Sequence, residues 1–149
     1  MKDQKDIVGN PHIGGSTGDP FTISNAFNAA QTVTVWIAKG TRWSDRDQVK
    51  AIKVVYADGT ERASGNQTGT SHSFKFDSNE RVTSMGIWTG DRVDKIKWVT
   101  NHNRTFEHGG WGGTEHFEEL GNGILLGFSG TTDSHELISL GASFKEDSD

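Results

Sequence analysis

Three stretches of this chain can be laid over one another, and that repeat limits the available folds more than any other feature. With Ile96, Ile52 and Leu140 set in register, a glycine precedes each of them: Gly90, Gly40 and Gly130. The lead-in is shortest before Ile96, longer before Leu140 and longest before Ile52. Downstream, Gly109 stands as far beyond Ile96 as Gly65 stands beyond Ile52. The Leu140 copy has no such glycine loop after Phe144, and Gly14-Gly15 near the N-terminus supplies it. The repeat is therefore threefold and permuted, with one unit built from both ends of the chain. The last strand must lie beside the first glycine loop. Three four-stranded sheets around a pseudo-threefold axis would bury every inner face in one core.

The units read as strands. Val33, Val35 and Ile37 alternate with polar residues, as do Ile52 and Val54, Phe74 and Phe76, and Ile96 and Trp98. That is the period of half-buried β-structure. Further strands are expected at Phe21 to Ile23, from Glu61, over Val82 to Trp88, Ile124 to Phe128 and Leu137 to Phe144. Nineteen glycines and the hairpin signal Asp58-Gly59 fit short strands with tight turns. No helical period is sustained over three turns, so the expected class is all-β. Lys39 to Gln48, with Trp43 among charges, reads as a long exposed loop. At 149 residues the chain is expected to be one domain, 1–149, with an ordered core over about 9–145. Residues 1 to about 12 and the tail from Lys145 to Asp149 are expected to be loosely held.

The chemistry concentrates in Thr89 to Gly113. It opens with Gly90-Asp91-Arg92-Val93-Asp94 and closes with Gly109-Gly110-Trp111-Gly112-Gly113. A strand pair turning at Asn101-His102-Asn103 would bring both loops to one end of a sheet. There Asp94 could accept two hydroxyl hydrogen bonds, and the backbone around Arg92 and Val93 could donate. Glycines let the backbone approach a ligand, and Trp111 offers an aromatic surface. Such a pairing suits a small polyhydroxylated ligand. A lone GxxxD is more often a turn whose Asp caps its own backbone. The second glycine loop at the same end shifts the balance towards a site.

Other partners are constrained by composition. A net charge of −5 disfavours nucleic acid. No cysteine is present, so there is no disulfide framework. No apolar run is long enough to span a membrane. The polar N-terminus lacks the apolar core of a secretory signal, so a cytoplasmic or non-classically secreted protein is expected. The sequons at Asn66 and Asn103 then read as chance.

Taken in order, GGSTGDPF, KAIKVVYADGT, RVTSMGIWTGDRVDKIKWVTN, RTFEHGGWGG and ILLGFSG with LISLGASF resemble the jacalin-related lectins over about residues 9 to 145. The resemblance implies a β-prism of three four-stranded Greek-key sheets with pseudo-threefold symmetry. It implies binding of mannose- or glucose-type glycans without metal or cofactor. Galactose-binding members expose a free amino group at their first glycine, whereas Gly14 has the segment Met1 to Ile13 ahead of it. The carbohydrate site it implies is Gly90, Asp91, Arg92, Val93 and Asp94 with Gly109, Gly110 and Trp111, similar to one site of the three-site algal members. Arg92 stands where a stacking Tyr is frequent. A second candidate is Gly14 and Gly15 with Asp133, Ser134, His135 and Glu136. There the position matching Asp94 is Ile138, so Asp133 or Glu136 would have to substitute. The middle copy has Lys50 at that position and is not expected to bind. Agglutination through two sites or a homo-oligomer is the corresponding expectation for assembly.

Two other readings compete. One is a β-prism protein-interaction module with decayed sugar sites, favoured by Ile138 and Lys50. The other is an enzyme using His102, His108, His116 and His135 with Glu115, Glu118 and Glu119. No HExxH or nucleophile elbow supports it, so a non-enzyme is expected.

Overall fold

The computed structural model describes residues 7–146. Thirteen strands and no helix are found among them. They are β1 (Ile7–Gly9), β2 (Ile13–Gly14), β3 (Asp19–Ser24), β4 (Ala30–Lys39), β5 (Asp47–Tyr56), β6 (Glu61–Gly65) and β7 (Thr70–Lys75). The rest are β8 (Val82–Thr89), β9 (Val93–Thr100), β10 (Thr105–Gly109), β11 (Thr114–Phe117), β12 (Leu125–Thr132) and β13 (Leu137–Lys145).

The strands form three antiparallel sheets, ordered β6-β5-β4-β7, β10-β9-β8-β11 and β1-β13-β12-β3, with β2 also on β13. In the first two, three strands meander and the fourth returns beside the first, the Greek-key pattern. The remaining sheet is the permuted one, and the C-terminal β12–β13 hairpin is flanked by N-terminal strands. Its outer strand is split into β1 and β2 at Asn10 to His12. The result is the three-sheet prism that the repeat implies.

The inner faces meet in a single core. Val33, Val35, Ile52 and Val54 come from one sheet, Ile87, Ile96 and Trp98 from the next, and Phe128, Leu140 and Phe144 from the third. Burying each such side chain is worth roughly 1.5–3 kcal/mol. Trp98 stacks on Phe106 at 4.4 Å between ring centroids, and Phe74 meets Phe106 edge-on at 5.8 Å across two sheets.

The alignment of the three units has a direct physical counterpart. Each central hairpin carries a β-bulge at one equivalent place. In β9 the skipped residue is Asp94, between Lys95 paired to Trp88 and Val93 paired to Thr89. In β5 it is Lys50, between Ala51 paired to Trp36 and Val49 paired to Ile37. In β13 it is Ile138, between Ser139 paired to Thr131 and Leu137 paired to Thr132. A bulge turns an extra side chain out of the ladder and re-aims it. Asp94, Lys50 and Ile138 therefore occupy symmetry-related positions, each just ahead of its aligned core residue.

Three expectations need correction. Residues 7 to 9 are not loose: they pair with Ser143 to Lys145 along the edge of β13. Lys145 is accordingly in a strand, while residues 1–6 and 147–149 lie outside the described residues. Thr114–Phe117 forms an edge strand on β8 that no alternation announces, because Phe117 faces solvent. The loop after β4 is exposed over residues 41–45, as expected, but shorter. It runs over residues 40–46, and Gln48 within β5 is buried.

Candidate functional site

Opposite each bulge stands a glycine at the end of the outer strand. Gly109 pairs with Lys95, Gly65 with Ala51 and Gly14 with Ser139. All three have positive φ, at 141°, 97° and 145°. A Cβ on Gly109 would lie 2.3 Å from the Asp94 carbonyl oxygen, and the other two are equally close to Lys50 and Ile138. The next residue then donates its N–H to the bulge carbonyl: Gly110 to Asp94 at 2.7 Å, Asn66 to Lys50 at 2.9 Å and Gly15 to Ile138 at 3.0 Å. The equal spacing of Gly109 from Ile96 and of Gly65 from Ile52 is thus the length of chain that returns a glycine to the bulge.

The three bulge side chains make three different environments at the same end of the prism. Lys50 turns inward and donates to the Glu136 carboxylate at 2.9 Å and to the Lys39 carbonyl at 3.0 Å. Ile138 fills its place with methyl groups, packed so closely that side chains on Gly15 or Gly18 would clash with it. Asp94 alone leaves a polar hollow of about 250 Å³, lined by Trp43, Arg46, Gln48, Gly90, Arg92 and Gly113 among others. That is just below the roughly 300–1,000 Å³ of drug-sized sites and suits a smaller ligand.

Asp94 is 2% exposed. Gln48 Nε2 donates to its Oδ1 at 3.1 Å. Burial pushes the carboxyl above its ordinary value, against the Gln48 hydrogen bond, the Arg46 charge and the Gly90 N–H, which pull it down. Gln48 Oε1 and Arg46 Nε are both buried without a hydrogen-bond partner. Arg46 Nε has only a loose ionic approach to Asp45, at 3.5 Å. Two unpaired polar atoms beside a buried carboxylate leave hydrogen-bonding capacity for a polar ligand. Above them the Arg46 guanidinium lies between two indoles, 4.3 Å from the Trp111 ring centre and 5.4 Å from that of Trp43.

The structure brings Gly90, Asp94, Gly109, Gly110 and Trp111 to one sheet end, with differing roles. Gly90 is open, and nothing would meet a side chain there. Trp111 is 70% exposed. Asp91 points its carboxylate outward, near Arg42. Val93 is a core residue. Gly110 lies against the Asp47 carbonyl, so the β4–β5 loop of the neighbouring unit leans on the glycine loop. Arg92 borders the hollow, but its Nε donates to Glu136 Oε2 at 3.0 Å and its Nη1 to the Asp91 carbonyl at 2.8 Å.

At the second pair, Glu136 is fully buried and its carboxylate is taken up by Lys50, Arg92 and both the N–H and hydroxyl of Thr41. Burial alone would raise its pKa, but these partners together hold it below the ordinary value. Asp133 accepts the N–H groups of His135 and Glu136, capping its own turn. Ser134 and His135 are exposed. Gly15 is covered by the Asp91 carbonyl, and Gly14 sits in the ladder against Ser139.

Trp43, Arg46 and Gln48 are the cavity residues that sequence reasoning did not assign. Their signal was the long lead-in of the middle copy, with a Trp set among charges. The proposed catalytic set does not converge. His102 faces Asp77 at 3.6 Å at the far turn, His108 stacks on His72 at 3.8 Å, and Glu118 accepts the Ala142 N–H at 2.8 Å. Asp77, Glu80 and His102 cluster closely enough for a cation. Glu80, however, is already paired with Arg104, Thr100 and the Asp77 N–H.

Comparison with known proteins agrees with this architecture. No curated protein matches the chain in sequence. Among solved structures, lamprey immune protein superposes with a TM-score of 0.82 at 27% identity, over 95% of this chain and 45% of that one. The chain thus spans less than half of that relative. A mannose-binding jacalin-related lectin from Ananas comosus superposes at 0.76, with 20% identity over 95% and 99% of the two chains. Artocarpin, solved in complex with mannotriose, superposes at 0.75, with 17% identity over 92% and 96%. The family model of the jacalin-like lectin domain matches residues 11–143, and the chain belongs to that family.

Proposed function

We propose that this chain is a carbohydrate-binding lectin that takes a mannose- or glucose-type residue at the Asp94 hollow, without metal and without catalysis. The observation that carries the proposal is the bulged Asp94. It is the one carboxylate among the three symmetry-related positions, and it sits opposite a positive-φ glycine at the floor of a small polar hollow. Asp94 accepts sugar hydroxyls, and Arg46 Nε and Gln48 Oε1 supply a further donor and acceptor. Trp111 lends a flat surface to the sugar's C–H face. Two neighbours, one named as mannose-binding and one solved with mannotriose, support this sugar class. Gly14 and Gly15 remain the second candidate through the family resemblance, but the acids beside them are engaged elsewhere and Ile138 fills the equivalent hollow. One site per chain follows.

The test is calorimetric titration of mannose and glucose into wild-type protein and Asp94→Asn, each with and without EDTA. The variant keeps the size of the side chain but loses its charge and half its acceptors. Loss of a charge-assisted hydrogen bond worth roughly 1.5–3 kcal/mol predicts an affinity drop of about thirtyfold. EDTA is expected to change nothing. Unchanged affinity in Asp94→Asn would move the sugar to the Gly14 and Gly15 pair, whereas no sugar binding by the wild type would favour the β-prism as a protein-interaction module, the reading that Lys50 and Ile138 in the other units support.

A further inference from the structure

Beyond the Asp94 hollow, the same glycine loop borders a second and larger space. Where the β7 edge of one sheet meets the β10 edge of the next, a groove of about 1040 Å³ runs along the seam. It is about four times the volume of the Asp94 hollow. Its walls carry two ion pairs, Lys39 with Asp47 at 3.6 Å and Lys95 with Glu107 at 2.8 Å. Cations and anions thus balance, which suits a neutral ligand better than a phosphate or an acidic chain. His72 of β7 and His108 of β10 also line it, stacked with ring centroids 3.8 Å apart and planes inclined by 12°. Two imidazoles at that spacing repel when both are charged. In the neutral form each offers one donor and one acceptor on a flat ring. Paired charges and flat polar rings are the groups that hold a polyol.

The groove and the hollow are continuous through one segment of chain. Gly109, Gly110 and Trp111 border the groove, while Gly113 lines the hollow. Asp47 faces the groove, while its neighbours Arg46 and Gln48 line the hollow. Trp111, exposed and stacked on Arg46, stands between the two.

We propose that this seam groove is an extended subsite for a neutral oligosaccharide. One sugar sits in the Asp94 hollow, and the next residues of the chain cross Trp111 to lie over His72 and His108 between the two ion pairs. The assignment rests on the Asp94 reading, and it makes the preferred ligand a chain of sugars rather than a single one.

The experiment titrates mannose and a linear mannotriose, with glucose and a linear glucotriose in parallel. The proteins are wild type, His72→Ala, Glu107→Gln and Asp94→Asn, and imidazole NMR signals are followed at saturation. We expect one trisaccharide to bind roughly tenfold tighter than its monosaccharide. His72→Ala and Glu107→Gln should erase most of that advantage while leaving monosaccharide affinity and folded spectra unchanged. The His72 and His108 signals should move with the trisaccharide and not with the monosaccharide. A trisaccharide no tighter than its monosaccharide, or one that leaves both imidazole signals in place, overturns the groove and leaves the Asp94 site standing. Trisaccharide binding that moves the imidazoles but survives Asp94→Asn overturns the Asp94 reading and keeps the groove. If no sugar binds the wild type, both fall.

Discussion

At the scale of single residues, one position does three jobs. Asp94, Lys50 and Ile138 share a bulge, a facing glycine and a place just ahead of the core. Only the side chain decides whether that place becomes a polar hollow, an ion pair or an apolar plug. Burial raises the Asp94 carboxyl above its ordinary value of 3.8. A raised acid favours the protonated form, so its ionised form is a cost to folding that appears as pH rises from the ordinary value through the folded-state pKa. Asp94→Asn should therefore leave the melting temperature at pH 7 unchanged or slightly higher. On the proposed reading sugar affinity has the opposite sign, because the ligand would bind the carboxylate. It should fall on acidification at a higher pH than for an ordinary Asp, as titrations between pH 7 and 4 will show. Affinity flat down to pH 4 would count against Asp94 as the acceptor. The sequence made the Asp94 position legible through the GxxxD spacing. It could not show that Gln48 and Arg46 reach it, because that contact joins two units across the prism.

The elements explain why glycine spacing carried so much information. Gly109 holds a φ of 141° and leaves no room for a Cβ beside the Asp94 carbonyl. Gly109→Ala should cost about 2 kcal/mol or more from backbone conformation and clash together. Gly90→Ala, at an open position, should cost well under about 1 kcal/mol, although both glycines belong to the same pair of loops. Urea titrations of the two variants distinguish them, and equal losses would contradict the pairing of bulge and glycine. Alternation located the strands of the central hairpins because one face of each is in the core. It failed for β1 and β11, which are short edge strands. Ile7 to Gly9 is held by ladder bonds to β13 rather than by a buried face, and Phe117 points to solvent. Glu118, just past β11, is raised to about 7 by burial while it accepts the Ala142 N–H. Its ionisation is therefore a cost that grows from its ordinary value of 4.5 up to about 7. Glu118→Gln should raise the melting temperature at pH 8 and leave it nearly unchanged at pH 4.5.

For the whole molecule, the permuted threefold repeat was readable from glycine and core spacing alone. What fastens the three units at the end of the prism that holds Asp94 was not. Glu136 binds Thr41, Lys50 and Arg92, tying the β4–β5, β8–β9 and β12–β13 loops together. The sequence offered Glu136 as a sugar ligand because it lies in the right loop. Only its burial shows that it is already satisfied. Glu136→Gln leaves Lys50 and part of Arg92 buried without a charge partner, a loss of about 3–5 kcal/mol. The melting temperature should drop by about 10 °C. At the opposite end, Arg104 and its neighbours hold Glu80 down to about 2. A depressed acid contributes stability above its ordinary value of 4.5, and that contribution is lost as pH falls from there towards 2. Acid melts should show this loss in wild type and not in Glu80→Gln. With one proposed site per chain, cross-linking of glycan-bearing cells requires chains to associate. Sedimentation of a protein that agglutinates should therefore show at least a dimer.

The central claim is that a sugar ring is held at the bulged carboxylate of the second Greek-key hairpin. Its most direct test is a crystal of this protein soaked in mannose or glucose. Density is expected for one hexose beside Trp111, with two hydroxyls within hydrogen-bonding distance of Asp94 and no metal between them. An ordered hexose found only at Gly14 and Gly15, with the Asp94 hollow holding water alone, would contradict it.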